Sequence, residues 1–303
     1  MKTTASKMEK QWFTSLQGYA FISPWLIGFF LLTFWPMLQS LYFSFTDYSL
    51  LEAEKWIGLT NYKKIFLDDS SFTNSLKATL LFVLIAVPVK LGGALLIAIM
   101  LNMKLQGMFI YRTVIYFPSL IGASVAVAIL WSNLFGKDGL INQLLLQIGI
   151  EGKNWIGLPQ TALATLIILA VWQFGSSMVI FLAGLKQIPS ELYEASAVDG
   201  AGKVRTFFSV TLPMLSPIIL FNLVLQTIGA FQMFTQAFII THGGPMESTY
   251  MYALYLFEKA FSRYQMGYAS ALAWILLVII SIVTLLIFAT SKKWVHYETE
   301  GGK

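Results

Sequence analysis

The chain has 303 residues, of which 57% are hydrophobic and 12% charged, and its net charge is +5 at neutral pH. Soluble domains carry about 25% charged residues, so the composition excludes an ordinary soluble fold and points to a polytopic membrane protein. There is no cysteine, and the two histidines, His242 and His296, stand alone. Disulfide and thiol chemistry are therefore excluded, and no metal site is expected.

Residues 1–17 are polar and basic. The apolar run after them is too long for a signal peptide and lacks a small-residue cleavage site, so 1–17 is expected to be a cytoplasmic N-terminal tail. A spanning helix needs roughly 20 apolar residues. Six stretches qualify: 18–45, 72–101, 113–134, 161–185, 214–240 and 267–290. They predict an all-α, six-helix membrane domain over 18–291, with 292–303 as a cytoplasmic C-terminal tail. Trp12, Trp25, Tyr42, Tyr48, Trp131, Trp155 and Trp294 lie near the ends of these stretches, as an interfacial aromatic belt would. No internal repeat is evident.

Orientation follows from the basic residues. With the N-terminus inside, the inner segments hold Lys2, Lys7, Lys10, Lys104, Arg112, Lys186, Lys203, Arg205, Lys292, Lys293 and Lys303. The outer loops hold Lys55, Lys63, Lys64, Lys137, Lys153, Lys259 and Arg263. The bias places both termini in the cytoplasm, and makes the net charge a topology signal; no nucleic-acid partner is expected. The first outer loop, Thr46 to Ser71, is net acidic. The second runs from Phe135 to Pro159. The third, Thr241 to Met266, opens with the tight turn His242-Gly243-Gly244-Pro245.

Some chemistry is absent. No P-loop pattern occurs, so the chain is not expected to bind ATP or any other cofactor, and no nucleophile–base pair can be assembled. None of the six stretches contains Asp or Glu. Ion-coupled carriers usually need an intramembrane carboxylate, so the driving energy is expected from outside the chain. Lys90 is the one deep charge, at a cost of about 2.5–3.5 kcal/mol on insertion scales. It follows Pro88, whose ring frees a carbonyl in the preceding turn. Lys90 could pair with that carbonyl, face a partner subunit, or act in substrate passage.

Transporter substrate sites lie near the bilayer midplane on cavity-lining helices. The fourth stretch offers Trp172, Gln173, Phe174 and Ser177. The fifth offers Asn222, Gln226, Gly229 and Met233 on one helical stripe, with Gln232 and Gln236 on another face. Uncharged amides, hydroxyls and aromatic faces suit a neutral polyol. The same residue types also hold membrane helices together.

The segment Ile188 to Pro217 is the most charged long stretch between two strongly apolar ones, carrying Glu191, Glu194, Asp199, Lys203 and Arg205. Ser190 is expected to cap a short helix with Glu191 and Glu194 in its first turn, and Gly200 to end it in a left-handed conformation. Lys203 to Val210 reads as a second short helix, closed by Leu212-Pro213. This stretch resembles the EAA loop of permease subunits of ATP-binding-cassette (ABC) importers. The family pattern is matched at Glu194-Ala195-Ser196, Gly200 and Val210-Thr211-Leu212-Pro213, with Ser and Val replacing Ala and Ile. The plain alternative is an amphipathic helix that only stabilises the cytoplasmic rim. The Gly-Gly-Pro turn followed by Thr249, with Gly229-Ala230-Phe231-Gln232 and Gly267-Tyr268-Ala269-Ser270-Ala271, is similar to the oligosaccharide and maltose-type branch of these permeases.

The resemblance implies a type I permease fold with a cytoplasmic coupling loop over 186–213. Glu191, Glu194, Ala195, Asp199, Gly200, Leu212 and Pro213 would meet an ATPase subunit. It also implies a second homologous permease, an ABC ATPase dimer that binds ATP and magnesium, an extracytoplasmic solute-binding protein, a di- or oligosaccharide substrate, and residence in a bacterial cytoplasmic membrane among its lipids. A glycerol-phosphate importer permease shares the turn and stays open, as do a secondary carrier and a scaffold without a pathway.

Overall fold

The structure, a computed structural model, describes residues 18–50, 52–103, 106–122 and 124–296. The expected tail 1–17, Trp12, Lys104 and residues 297–303 lie outside the described residues. In chain order the helices are α1 (Gly18–Ser44), α2 (Thr60–Leu67), α3 (Ser70–Leu101), α4 (Met108–Ile121), α5 (Val125–Phe135), α6 (Leu140–Gln147), α7 (Pro159–Trp172), α8 (Gly175–Leu185), α9 (Ser190–Val198), α10 (Lys203–Phe231), α11 (Tyr252–Phe257) and α12 (Met266–Ser291). Among the described residues, four helices are long and apolar enough to cross a membrane, or six if each of two bent pairs forms one span.

The two bent pairs correct the sequence reading. The third predicted span is α4 followed by α5, interrupted around Gly122 to Ser124, where the Ser124 hydroxyl accepts from the Val127 N–H at 3.3 Å and starts a new helix. The fourth is α7 followed by α8, bent by 41° at Gln173 and Phe174. The fifth span ends at Phe231, well short of Ile240, and a separate π-turn covers Ala237–Thr241. Apolar periodicity counts residues but does not register where the backbone leaves the helix.

Two prolines inside long helices each follow a π-turn. Phe30–Phe34 precedes Pro36, and Phe207–Thr211 precedes Pro213. A proline ring clashes with the carbonyl four residues back in a regular α-helix, and the wider π-turn makes room for it. Leu212-Pro213 therefore does not close a short helix. α10 runs without interruption from Lys203 into the span.

The chain divides into two compact units: residues 18–67 with 259–274, and residues 68–258 with 275–296. In the first, the Asn61 side chain donates to the carbonyls of Ser44 and Thr46 at 3.0 and 2.9 Å, fixing α2 to the end of α1. The Gly267 N–H donates to the Tyr48 carbonyl at 2.9 Å, and a β-carbon on Gly267 would lie 2.2 Å from the Thr46 carbonyl oxygen. The first residue of the Gly-Tyr-Ala-Ser-Ala motif is thus a close-approach glycine. Phe21, Trp25 and Leu32 of α1 are exposed, as side chains facing lipid or another chain are.

The second unit is built around α3, whose N-terminus is capped by the Asp69 carboxylate accepting from the N–H groups of Ser71 and Phe72. Its core joins Phe82 and Ala86 of α3, Val127 and Trp131 of α5, Leu166 and Leu169 of α7, and Met251 and Leu254 around α11. Trp131 is 9% exposed and donates to the Thr165 carbonyl at 3.2 Å, so it belongs to this core and not to an interfacial belt. Its indole hydrogen bond is satisfied inside the protein, which removes the reason for an interfacial position. At the other end of α3, the Arg112 guanidinium donates to the Leu101 carbonyl at 2.8 Å, satisfying a helix-terminal acceptor.

Candidate functional site: a polar cavity at three helix breaks

The breaks after α4, α7 and α10 gather uncharged polar groups. Gln173 follows the last residue of α7 and Gln232 follows the last residue of α10. The Gln173 Nε2 donates to the Gly122 carbonyl at 2.9 Å, and Gln236 Nε2 lies 3.4 Å from the same oxygen. That carbonyl sits at the C-terminal end of α4, where helix acceptors lack intrahelical partners. Gly175 lets the chains approach here. A β-carbon on it would lie 2.9 Å from the Tyr116 Cα and 2.7 Å from the Ser119 Oγ, which itself accepts from the Ser176 N–H.

A cavity of about 340 Å³ opens beside these breaks, within the range of small-molecule sites. Gln173, Gln226, Gly229 and Met233 line it, together with Lys90, Gln232 and Gln236. The other four residues singled out as a pathway are not among its lining residues. Trp172 packs on Trp131 with ring centroids 5.6 Å apart. Phe174 precedes the first residue of α8, and its carbonyl accepts from the Met178 N–H. Ser177 and Asn222 are fully buried, and Asn222 Nδ2 donates to the Ile218 carbonyl at 3.2 Å. Gln232 and Gln236 were expected on a different face from Gln226. An uninterrupted helix would put them there, but the chain leaves the helix at Gln232 and returns them to the same cavity. Four glutamines in otherwise charge-free stretches were the available signal; helical phasing across a break misdirected it.

The charged segment forms a compact turn. Pro189, not Ser190, precedes α9 and no side chain caps it; Ser190 is the first helical residue. At the other end Gly200 has φ +73°, its N–H bonds the Ala197 carbonyl, and the Ala201 N–H bonds the Ser196 carbonyl, each at 3.0 Å. That pair of bonds is the Schellman closure, which favours glycine at the left-handed position. The Ser196 and Thr206 hydroxyls lie 2.8 Å apart and those of Tyr193 and Thr211 3.2 Å apart, holding α9 against the start of α10. Glu191, Glu194, Ala195, Asp199 and Gly200 are all exposed. Leu212 and Pro213 are half-buried within α10. The sequence reading missed Val198 and Val204, which are 88% and 71% exposed on the same turn.

At the far end of α3, the segment after the Gly-Gly-Pro turn docks on the helix start. Glu247 accepts from Asn74 Nδ2 at 2.7 Å, the Tyr255 hydroxyl donates to Asp69, and the Tyr252 N–H donates to Thr79 Oγ1 at 2.8 Å. Thr249 Oγ1 donates to the Gly244 carbonyl at 2.7 Å and holds the turn closed.

Residues 82–296 match the family model described as "Binding-protein-dependent transport system inner membrane component". The chain belongs to this family. It is 57% identical over 289 residues to the probable ABC transporter permease protein YesP of Bacillus subtilis (strain 168), covering 94% of each chain. It is 31% identical over 302 residues to the lactose transport system permease protein LacF of Rhizobium radiobacter, covering 97% of this chain and 99% of the relative. The fold matches a chain in the crystal structure of a bacterial ABC transporter involved in the import of the acidic polysaccharide alginate. The TM-score is 0.82 at 21% identity, over 95% of this chain and 99% of that one. This ABC transporter permease is thus a multi-pass membrane transport subunit of type I fold, and the helix breaks around the cavity are features of a transporter chain.

Proposed function

We propose that this permease carries a di- or oligosaccharide across a bacterial cytoplasmic membrane by alternating access, driven by ATP hydrolysis in a partner subunit. The observation that carries the reading is the cavity at the helix breaks, lined by Gln173, Gln226, Gln232 and Gln236. Amides offer both donors and acceptors to sugar hydroxyls. Discontinuous helices are where transporters build their sites. The name of the lactose relative supports a saccharide substrate.

In this reading the turn between α9 and α10 docks on the ATPase. Exposed Glu191, Glu194 and Asp199 supply charged contacts and Val198 and Val204 an apolar one. Both termini and this turn face the cytoplasm, while the Gly-Gly-Pro turn faces outward toward a solute-binding protein. A second, homologous permease completes the pathway, and an ATPase dimer binds ATP and magnesium. ATP closure would draw the coupling turns together and open the cavity outward; release of the products would return it inward.

The test is reconstitution of the chain with its companion permease, ATPase and binding protein in proteoliposomes. Saccharide-stimulated ATP hydrolysis coupled to saccharide uptake is expected. Uptake without any ATPase would instead indicate a secondary carrier, and refute the reading.

A further inference from the structure

Lys90 is the only formally charged residue among those lining the cavity. It projects from α3, and it makes no hydrogen bond or ion pair among the described residues. The carbonyl freed by Pro88, a partner that the sequence made available, is not bonded to it. No carboxylate is available on the spanning stretches to neutralise it. The helix breaks supply a fraction of a charge at most: the carbonyl ends of α4 and α10 face this region, but neither is hydrogen-bonded to Lys90, and the Gly122 carbonyl is already taken by Gln173. At the break after α7, the carbonyl end of one helix meets the amide end of the next, so their partial charges largely offset. A cation placed in a low-dielectric cavity without an anion of its own is costly in the absence of ligand and strongly attractive to an anion that enters.

We propose that the cavity passes a saccharide bearing a carboxylate, with Lys90 as its counter-charge and the glutamines as partners for its hydroxyls. This rests on the saccharide-importer reading above and names the substrate class within it. A neutral sugar would be served by Gln173, Gln226, Gln232 and Gln236 alone and would leave Lys90 unanswered. A phosphorylated polyol is a poorer match. Its near-dianionic group calls for more than one positive charge and favours the forked donors of arginine, and no arginine lines the cavity. One ammonium, a compact point charge, balances the single negative charge of the sugar residue beside it, whereas a phosphate concentrates nearly two on one group.

The experiment uses the complete importer in proteoliposomes and four probes: trigalacturonate, its fully methyl-esterified form, maltotriose and glycerol 3-phosphate. Esterification keeps the shape and hydroxyls and removes the charge. Stimulation of ATP hydrolysis by trigalacturonate is expected at concentrations about tenfold or more below those needed for the ester, the scale of a charge-assisted hydrogen bond. A Lys90→Met importer that still assembles should lose that preference, and Lys90→Arg should keep it. Equal responses to acid and ester, or an acid preference that survives in Lys90→Met, would overturn the assignment. The second outcome would mean that a group other than Lys90 recognises the carboxylate. A response to glycerol 3-phosphate alone would overturn it in favour of a phosphorylated substrate. If maltotriose drives the cycle and trigalacturonate does not, this inference fails and the saccharide reading stands. If no saccharide stimulates hydrolysis, it is the saccharide reading that fails.

Discussion

Gly175, packed between α4 and α8, and Gly229, which lines the cavity, make opposite predictions for the same substitution. In Gly175→Ala the new β-carbon meets the Tyr116 Cα at 2.9 Å and the Ser119 Oγ at 2.7 Å. The serine can rotate away, but the Tyr116 contact is backbone, so α4 and α8 must separate by a few tenths of an ångström. Overpacking of this kind costs about 1–3 kcal/mol. Turning Ser119 also weakens its bond with the Ser176 N–H, 3.2 Å long, worth about 0.5–1.5 kcal/mol. A net destabilisation of about 2 kcal/mol follows from these terms. In Gly229→Ala the β-carbon has nothing within 4 Å. Replacing glycine by alanine inside a helix favours it by about 1 kcal/mol, so this variant should be as stable as the parent or more so. Because Gly229 lines the cavity, its effect should appear in transport. Thermal unfolding of the purified importer, paired with uptake, separates the two. Gly175→Ala should unfold at lower temperature, and Gly229→Ala should keep its unfolding temperature while altering uptake. Parent-like stability of Gly175→Ala, or a larger loss from Gly229→Ala, would refute the packing drawn here.

Three further expectations concern the glutamines, the proposed coupling turn and the topology. Gln226 makes no hydrogen bond among the described residues, whereas Gln173 ties the α7–α8 break to the Gly122 carbonyl. Gln226→Ala should therefore raise the half-saturating saccharide concentration several-fold with unchanged stability, while Gln173→Ala should also lower stability by about 0.5–1.5 kcal/mol; equal unfolding temperatures for both would count against the latter bond. Gly200→Val meets no steric obstacle in the chain but forces a β-branched side chain onto a residue with φ +73°, at about 1–2 kcal/mol. Together with Glu194→Lys, it should leave the permease in the membrane and reduce ATPase co-purification and transport, whereas Gly200→Asn, which tolerates the left-handed region, should be milder. In this cysteine-free chain, a cysteine at position 200 should be shielded from a membrane-impermeant thiol reagent in intact cells and cysteines at positions 68 and 151 labelled; labelling at 200 would invert the topology.

Composition alone determined that this is a membrane chain, because a protein with so few charges cannot cover itself with water-soluble surface. Six apolar stretches of bilayer length followed from counting, since every backbone group in lipid must be satisfied within a helix. The fixed spacing of Glu194, Gly200 and Leu212-Pro213 singled out the turn proposed here to meet an ATPase, and glycine's freedom to take positive φ made the stop at Gly200 legible in the sequence. What the sequence could not supply was where the helices break. Periodicity carries Gln226, Gln232 and Gln236 onto two faces only if the helix continues, and it ends at Phe231. The same limit hid the π-turn that lets α10 pass through Pro213, and the burial of Trp131 against Trp172. Lys90 was visible as an expensive charge, but only the packing of α3 against α7 and α10 decides that it shares a cavity with four amides. A break or a shared cavity is set by contacts between residues far apart in the chain, such as Gln173 with Gly122, and those energies have no local signature.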